Sequence, residues 1–143
     1  MATPLLRDFL KLVIGLLLAI QAFSSQAGGH LSPEEVNALL TDKTVFAKHE
    51  KDRYNFIDYF SPDGSVQQLT DQGEKKTGIW RVASDGTLCV SWVGDADSVC
   101  GHLIASSEGQ YKRMRTNPRN IMLGEIHIVT FERFESGNSK GLK

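Results

Sequence analysis

From residue 43 onward, short stretches of alternating apolar and polar residues are separated by turn signals. Pro62-Asp63-Gly64 and Ser84-Asp85-Gly86 are typical tight turns, because proline fixes φ and glycine allows a positive φ. The predicted strands cover 43–47, 54–60, 65–69, 76–83, 87–93, 98–104, 110–115 and 125–134. Short, regular connections favour antiparallel pairing between successive strands. We therefore predict a mainly β fold, an antiparallel meander of about eight strands that forms a small barrel or a bent sheet.

One short helix is predicted before the first strand. Ser32 can cap it, Pro33 suits the first helical position, and Glu35 completes a capping box three residues after Ser32. The apolar residues at helical spacing are Val36, Leu39 and Leu40. A helix with one apolar edge, ending near Thr41, is expected to pack on the sheet.

The segment before this helix has the pattern of a secretory signal peptide. A weakly basic start leads to a short uncharged apolar run and then to Ser25-Gln26-Ala27, with small residues where signal peptidase cuts. The alternative, a transmembrane anchor, needs about 20 apolar residues, more than this run provides. We expect residues 1–27 to be removed, leaving a single domain over 28–135, a flexible tail over 136–143 and no stable membrane anchor.

Charge and cysteine content narrow the functional classes. The formal net charge of −1 argues against a nucleic-acid-binding protein, which needs a strongly basic surface. An exported protein with two cysteines is expected to form one disulfide. The expected location is periplasmic or secreted.

The two cysteines, Cys89 and Cys100, also test the strand register. Ten residues separate them, which does not match the two-residue spacing of redox or zinc motifs. If the hairpin is centred between Gly94 and Asp95, the two cysteines lie directly opposite each other, with Cβ atoms close enough to bridge. We predict a Cys89–Cys100 disulfide.

The most distinctive stretch combines three motifs. They are Phe60-Ser61-Pro62-Asp63-Gly64, then Gly78-Ile79-Trp80-Arg81-Val82, then Asp85-Gly86-Thr87-Leu88-Cys89 with Cys100. This pattern resembles small secreted bacterial proteins that are grouped as lipocalin-like or as domains of unknown function. The resemblance implies a lipocalin-like barrel or bent sheet, with room for an internal cavity, and it implies no catalytic residues. True lipocalins carry Gly-x-Trp on the first strand, whereas here it falls on the fourth. We therefore do not infer from the resemblance that this chain binds ligands as lipocalins do.

Three aromatic residues are candidates for a ligand-binding site. Trp80, Trp92 and Tyr59 could line a pocket for a small apolar ligand. The alternative is that they fill the core, as large aromatic side chains usually do in a domain of this size. A cavity of roughly 300 Å³ or more lined by these residues would favour a ligand carrier, and a filled barrel would favour partner binding.

A second candidate surface is basic. Lys112, Arg113, Arg115 and Arg119 lie close together in sequence beside Tyr111. Such a cluster could bind an anion, an acidic partner or lipid headgroups. The alternative is that these cations protect an exposed strand edge from pairing with other chains.

No metal, cofactor or catalytic site is predicted. The histidines, His30, His49, His102 and His127, have no short spacing typical of a metal site, although His102 and His127 could meet across the sheet. No nucleophile elbow or phosphate-binding loop is present in the sequence. We therefore expect a non-enzymatic binding or interaction module of the cell envelope, with an envelope protein as partner, and as the alternative a carrier of a small apolar ligand.

Overall fold

The computed structural model describes residues 29–116, 122 and 124–143. The predicted signal peptide and Arg119 lie outside the described residues. The elements are helix α1 (Pro33–Leu40), strands β1 (Lys43–His49), β2 (Asn55–Phe60), β3 (Ser65–Thr70), β4 (Lys75–Val82), β5 (Leu88–Trp92) and β6 (Val99–Ala105), a 3₁₀ turn (Ser107–Gly109), and strands β7 (Tyr111–Thr116) and β8 (Glu125–Ser136). Among the described residues, no helix is long and apolar enough to cross a membrane.

The strands form a closed barrel. Each strand pairs antiparallel with its neighbour in sequence, and β8 pairs with both β7 and β1. The predicted mainly β meander is thus confirmed, and of the two predicted shapes the structure adopts the barrel. Closure pairs the backbone groups that an open sheet would leave free on its first and last strands.

Helix α1 begins as its sequence predicts. The Ser32 hydroxyl accepts from the Glu35 backbone N–H, and the Glu35 carboxylate accepts from the Ser32 backbone N–H, which is the capping box. Val36 and Leu40 are fully buried. The helix therefore packs its apolar edge against the barrel, as expected.

The barrel interior is filled by apolar side chains. They come from the helix and from most of the strands: Val36, Leu40, Val45, Ala47, Phe56, Phe60, Val66, Trp80, Leu88, Val90, Leu103, Val129 and Phe131. Phe60 and Trp80 pack edge to face, with ring centroids 5.4 Å apart. The Trp80 indole N–H donates to the Ser61 carbonyl at 3.0 Å, so its polar atom is satisfied within the fold.

The cysteine hairpin adopts the predicted register. Cys89 lies opposite Cys100, and the two form the disulfide. The ladder between β5 and β6 covers Leu88 to Val90 on one strand and Val99 to Gly101 on the other. The bond therefore joins the two strands in the middle of a short ladder.

Removing this bond is expected to destabilise the barrel moderately. Because the cysteines are 11 residues apart, the closed loop is short, and the double variant Cys89→Ala/Cys100→Ala should lose about 2–3 kcal/mol of unfolding free energy. Urea unfolding monitored by tryptophan fluorescence would measure the loss, and reduced wild-type protein should unfold at a similar midpoint. Two free thiols in the non-reduced protein would contradict the assignment.

The chain before α1 occupies a gap beside β6. Beyond Gly101, β6 is no longer paired with β5, and residues 30 and 31 pair there instead. The Leu31 backbone N–H donates to the Leu103 carbonyl at 2.8 Å, and His30 bridges Ile104. Gly86 lies against this segment, since a Cβ at that position would come within 2.3 Å of the Leu31 carbonyl oxygen. The segment is thus held between the β4–β5 turn and β6.

The predicted flexible tail makes specific contacts. Ser136 still belongs to β8, and the Gly137 backbone N–H donates to the Asp42 carbonyl. The Thr44 hydroxyl donates to the Gly137 carbonyl at 2.6 Å and accepts from the Ser139 backbone N–H at 3.1 Å. This tail covers Thr44, which explains why an outward-facing polar residue of β1 is fully buried.

Candidate functional site

An apolar groove of about 340 Å³ lies over the first three strands. Its lining residues are Phe46, Ala47, Asn55, Phe56, Ile57, Leu69, Thr70, Asp71 and Glu132. Phe46, Ile57 and Leu69 lie in register across β1, β2 and β3 and are only half-buried. They stand outside the core cluster, so they form an apolar stripe on the outer wall of the barrel.

Both charged residues that line the apolar groove are acidic. Asp71 is held in place, because its Oδ2 accepts from the Asn55 backbone N–H at 3.0 Å. Glu132 lies at the irregularity where β1 and β8 shift register after Phe46, and it is exposed. The Arg133 guanidinium carbon stacks 3.6 Å above the Phe46 ring, and Lys140 Nζ lies 5.5 Å from the same ring centroid. The groove thus combines an apolar floor with two carboxylates at its rim.

The structure does not bring the three predicted aromatic residues together. Trp80 is 9% exposed inside the barrel, and Trp92 lies opposite Gly78 with partial burial against the same core. Tyr59 is on the outer face, where its hydroxyl donates to Asp42 Oδ1 at 3.0 Å. That hydrogen bond raises the pKa of Tyr59 above its ordinary value. None of the three lines the apolar groove.

Three of the four predicted cations lie among the described residues, and Arg113 does not share a surface with the other two. Lys112 and Arg115 are exposed on β7, but Arg113 turns into the barrel and is only 7% exposed. Its Nη2 donates to the backbone carbonyls of Val99 at 2.6 Å and Leu88 at 3.2 Å. The expectation that Arg113 belongs to a basic surface is therefore corrected. Strand alternation points it inward, opposite Leu103, and the glycine at 101 leaves room for its side chain.

Arg113 and Asp58 are buried charged residues in the barrel interior, which also holds the polar side chains of Gln68 and Thr70. Asp58 on β2 is 4% exposed, and its Oδ1 accepts from the Gln68 amide at 2.9 Å. Burial raises the pKa of Asp58 to about 7, although the Gln68 hydrogen bond and the positive charge of Arg113 oppose the rise. Burial likewise lowers the pKa of Arg113 to about 10. Arg113 Nε has no hydrogen-bond partner among the described residues.

A second polar cluster lies on the outside of the barrel. His30 Nε2 is 2.7 Å from Glu125 Oε2, and His102 Nδ1 is 3.1 Å from Glu125 Oε1. The two imidazole rings stack, with centroids 4.1 Å apart and planes 9° from parallel. One carboxylate is thus contacted by two histidines, and we call these three residues the histidine–glutamate cluster.

The fold explains why these residues meet. His30 pairs with Ile104, and residues 102 and 104 of a strand point to the same face, so His30 and His102 are neighbours. Glu125 is the first residue of β8 and pairs with the end of β7. Nothing local in the sequence signals this, because His30 and Glu125 are 95 residues apart.

The other ring nitrogen of His102 is also held. His102 Nε2 is 3.0 Å from the Thr87 hydroxyl and 3.6 Å from Asp85 Oδ2, both in the β4–β5 turn. Hydrogen bonds from the Thr87 backbone and hydroxyl lower the pKa of Asp85, which favours its charged form. The orientation of the His102 ring is thus fixed from both sides.

The proposed meeting of His102 and His127 does not occur in the structure. His102 stacks on His30 instead, while His127 Nε2 lies 3.1 Å from the Val129 carbonyl and 3.0 Å from the Thr130 hydroxyl. The reason is that β7 lies between β6 and β8, with Met114 paired to both His102 and His127.

Comparison with protein-family models, curated proteins and solved structures finds no match to this chain. The eight-stranded barrel with one short helix and a disulfide is compatible with a lipocalin-like shape. It is also compatible with a binding module that works outside the cell. Support for a more specific role comes from the apolar groove and the polar clusters.

Proposed function

We propose that this protein is a non-enzymatic interaction module of the cell envelope that binds a basic, apolar segment of a partner protein in the apolar groove. The single observation that carries this proposal is the composition of the groove. An apolar floor of Phe46, Ile57 and Leu69 suits an apolar side chain, and the carboxylates of Asp71 and Glu132 suit a neighbouring lysine or arginine.

The same charges favour a peptide over a free apolar ligand. The carboxylate of a fatty acid or tetrapyrrole would be repelled by Asp71 and Glu132, although the cations of Arg133 and Lys140 over the Phe46 ring offset part of this repulsion. Inside the barrel, the space around Trp80 is taken by Phe60 and the other core residues. Both observations weigh against the alternative of an apolar-ligand carrier built on Trp80, Trp92 and Tyr59.

An extracytoplasmic, non-catalytic role agrees with the cysteine chemistry. Disulfides persist mainly in oxidising compartments, and Cys89 is buried within its hairpin, where it is bonded to Cys100. Both cysteines of the sequence are used in this bond, which leaves no thiol nucleophile. The predicted signal peptide over residues 1–27 points to the same compartment.

The groove can be tested with defined probes. A short synthetic peptide of alternating lysine and leucine is titrated into ¹⁵N-labelled protein, alongside the matched glutamate–leucine peptide and sodium dodecanoate. We expect the basic peptide alone to shift amide resonances of β1, β2 and β3. Ile57→Asp should weaken this binding at least tenfold, because a charge on the groove floor excludes an apolar side chain (about 1.4 kcal/mol per tenfold).

Ile79→Asp is the matched control for that variant. Ile79 is 63% exposed on β4 but does not line the apolar groove, so its replacement should leave peptide binding unchanged. Binding of dodecanoate in preference to the basic peptide would support the carrier alternative and overturn the proposal. Equal loss in both variants, or no shift with the basic peptide, would also contradict it.

A further inference from the structure

We propose that the histidine–glutamate cluster, His30, His102 and Glu125, is a binding site for a divalent transition-metal ion, with Zn²⁺ as the best-suited ion. This inference is independent of the apolar groove, because it rests on different residues. It adds a metal site on the outer wall of a barrel whose sequence predicts none.

The geometry of the three side chains carries the proposal. Each residue offers one ligand atom, and these three atoms all lie within 4.8 Å of one another. Two zinc ligands at bond lengths of about 2.0–2.1 Å and a tetrahedral angle are roughly 3.3 Å apart. The observed separations are 2.7 Å from His30 Nε2 to Glu125 Oε2 and 3.1 Å from His102 Nδ1 to Glu125 Oε1, so the side chains would turn about their χ angles to aim one atom each at a shared ion.

The contacts of His102 resemble those of a metal ligand. Histidines that bind metals commonly use their second ring nitrogen in a hydrogen bond to a carboxylate, a carbonyl or water, which orients the ring. Here His102 Nε2 lies 3.0 Å from the Thr87 hydroxyl and 3.6 Å from Asp85 Oδ2. That leaves Nδ1 directed at Glu125, where the ion would bind.

The donor set selects the class of ion. Two imidazoles and one carboxylate suit Zn²⁺ and the neighbouring ions Co²⁺, Ni²⁺ and Cu²⁺, whereas Mg²⁺ and Ca²⁺ prefer oxygen ligands alone. All three side chains are partly exposed, with His30 the most accessible, so an ion can enter from solvent. Three protein ligands leave one tetrahedral position for water or for an external donor.

Metal binding at this position would tie the N-terminal segment to the barrel. His30 belongs to a segment attached to β6 by the His30–Ile104 bridge and the Leu31–Leu103 hydrogen bond. His102 lies on β6 and Glu125 at the start of β8. An ion shared by all three would therefore cross-link the start of the described chain to two separate strands.

The test is isothermal titration of the EDTA-treated protein with ZnCl₂, with MgCl₂ as the comparison. We expect one zinc ion per chain and no comparable heat with magnesium. Single variants His30→Ala, His102→Ala and Glu125→Gln should each weaken zinc binding at least tenfold. His49→Ala is the matched control, since His49 contacts only Asp52 among carboxylates of the described residues and its variant should bind zinc as wild type does.

Two conservative variants and one further measurement keep the outcome decisive if another variant unfolds. Glu125→Gln retains a hydrogen-bonding side chain at the same position, and His30→Ala lies before α1, outside the barrel strands. With Co²⁺ in place of zinc, the visible absorption of a tetrahedral site should appear in wild-type protein and disappear in both variants. Absence of zinc binding, or zinc binding that persists unchanged in all three ligand variants, would overturn the proposal. Ile57→Asp should leave zinc binding intact, which separates this result from the groove.

Discussion

The wild-type barrel is expected to lose stability steeply as the pH rises from about 4 to about 7, and replacing Asp58 by asparagine is expected to remove this loss. The ordinary pKa of this carboxyl is 3.8, and burial raises it to about 7 in the folded protein. Between these values the folded protein holds a proton that the unfolded chain has released, so stability falls as the pH rises. Above pH 7 the carboxyl is ionised in both states and its contribution stays constant.

The size of the change in unfolding free energy follows from the shift in the pKa of Asp58. A displacement from 3.8 to about 7 corresponds to about 4 kcal/mol of unfolding free energy, at 1.36 kcal/mol per pKa unit. The asparagine side chain in the Asp58→Asn variant has the same shape as the carboxyl, can accept the Gln68 hydrogen bond and does not titrate. The stability of Asp58→Asn relative to wild type should therefore rise by about this amount from pH 4 to pH 8.

Urea unfolding of both proteins across this pH range measures the difference directly, because contributions of the other titrating groups cancel. Asp95→Asn, which replaces an exposed carboxyl in the β5–β6 turn by an amide, is the control for the loss of one carboxyl outside the barrel interior. A constant difference for Asp58→Asn would show that Asp58 ionises normally in the folded protein and would refute the prediction.

The second large effect concerns Trp80. Trp80→Ala should lower the unfolding free energy by about 3–5 kcal/mol, the range for truncating a large buried aromatic side chain. The indole is 9% exposed, packs against Phe60 and donates to the Ser61 carbonyl. Truncation removes all three contributions and leaves a cavity in the core.

Trp92→Ala serves as the comparison, since Trp92 is only half-buried against the same core. The decrease in unfolding free energy caused by Trp92→Ala should be clearly smaller than that caused by Trp80→Ala. Urea unfolding followed by far-ultraviolet circular dichroism measures both. If Trp80 instead lined a ligand cavity, its truncation would leave stability nearly unchanged. That result would revive the carrier hypothesis.

Local sequence chemistry was sufficient for most of the secondary structure. The capping box of Ser32 and Glu35 defines the start of α1 through contacts only three residues apart. Turn residues and alternating polarity placed the strands within a few residues of their observed bounds. The Cys89–Cys100 pairing followed from the hairpin register, because both partners belong to adjacent strands joined by a short turn.

The candidate sites depended on contacts that no local pattern encodes. Side chains alternate between the two faces of β7, so the sequence assigns Arg113 to one of them. Only the closed barrel makes that face the buried interior. Phe46, Ile57 and Leu69 become one groove floor only when three strand registers are set together.

The sequence by itself determined a short capped helix, eight strands in antiparallel order and one disulfide, since each depends on hydrogen bonds and turns between near neighbours. Only the tertiary structure decided that β8 returns to β1, that Asp58 and Arg113 share a buried interior, and that His30 meets His102 and Glu125. These contacts join residues as much as 95 positions apart. Their geometry is set by the closure and register of the whole barrel, and that is a property of all the strands together.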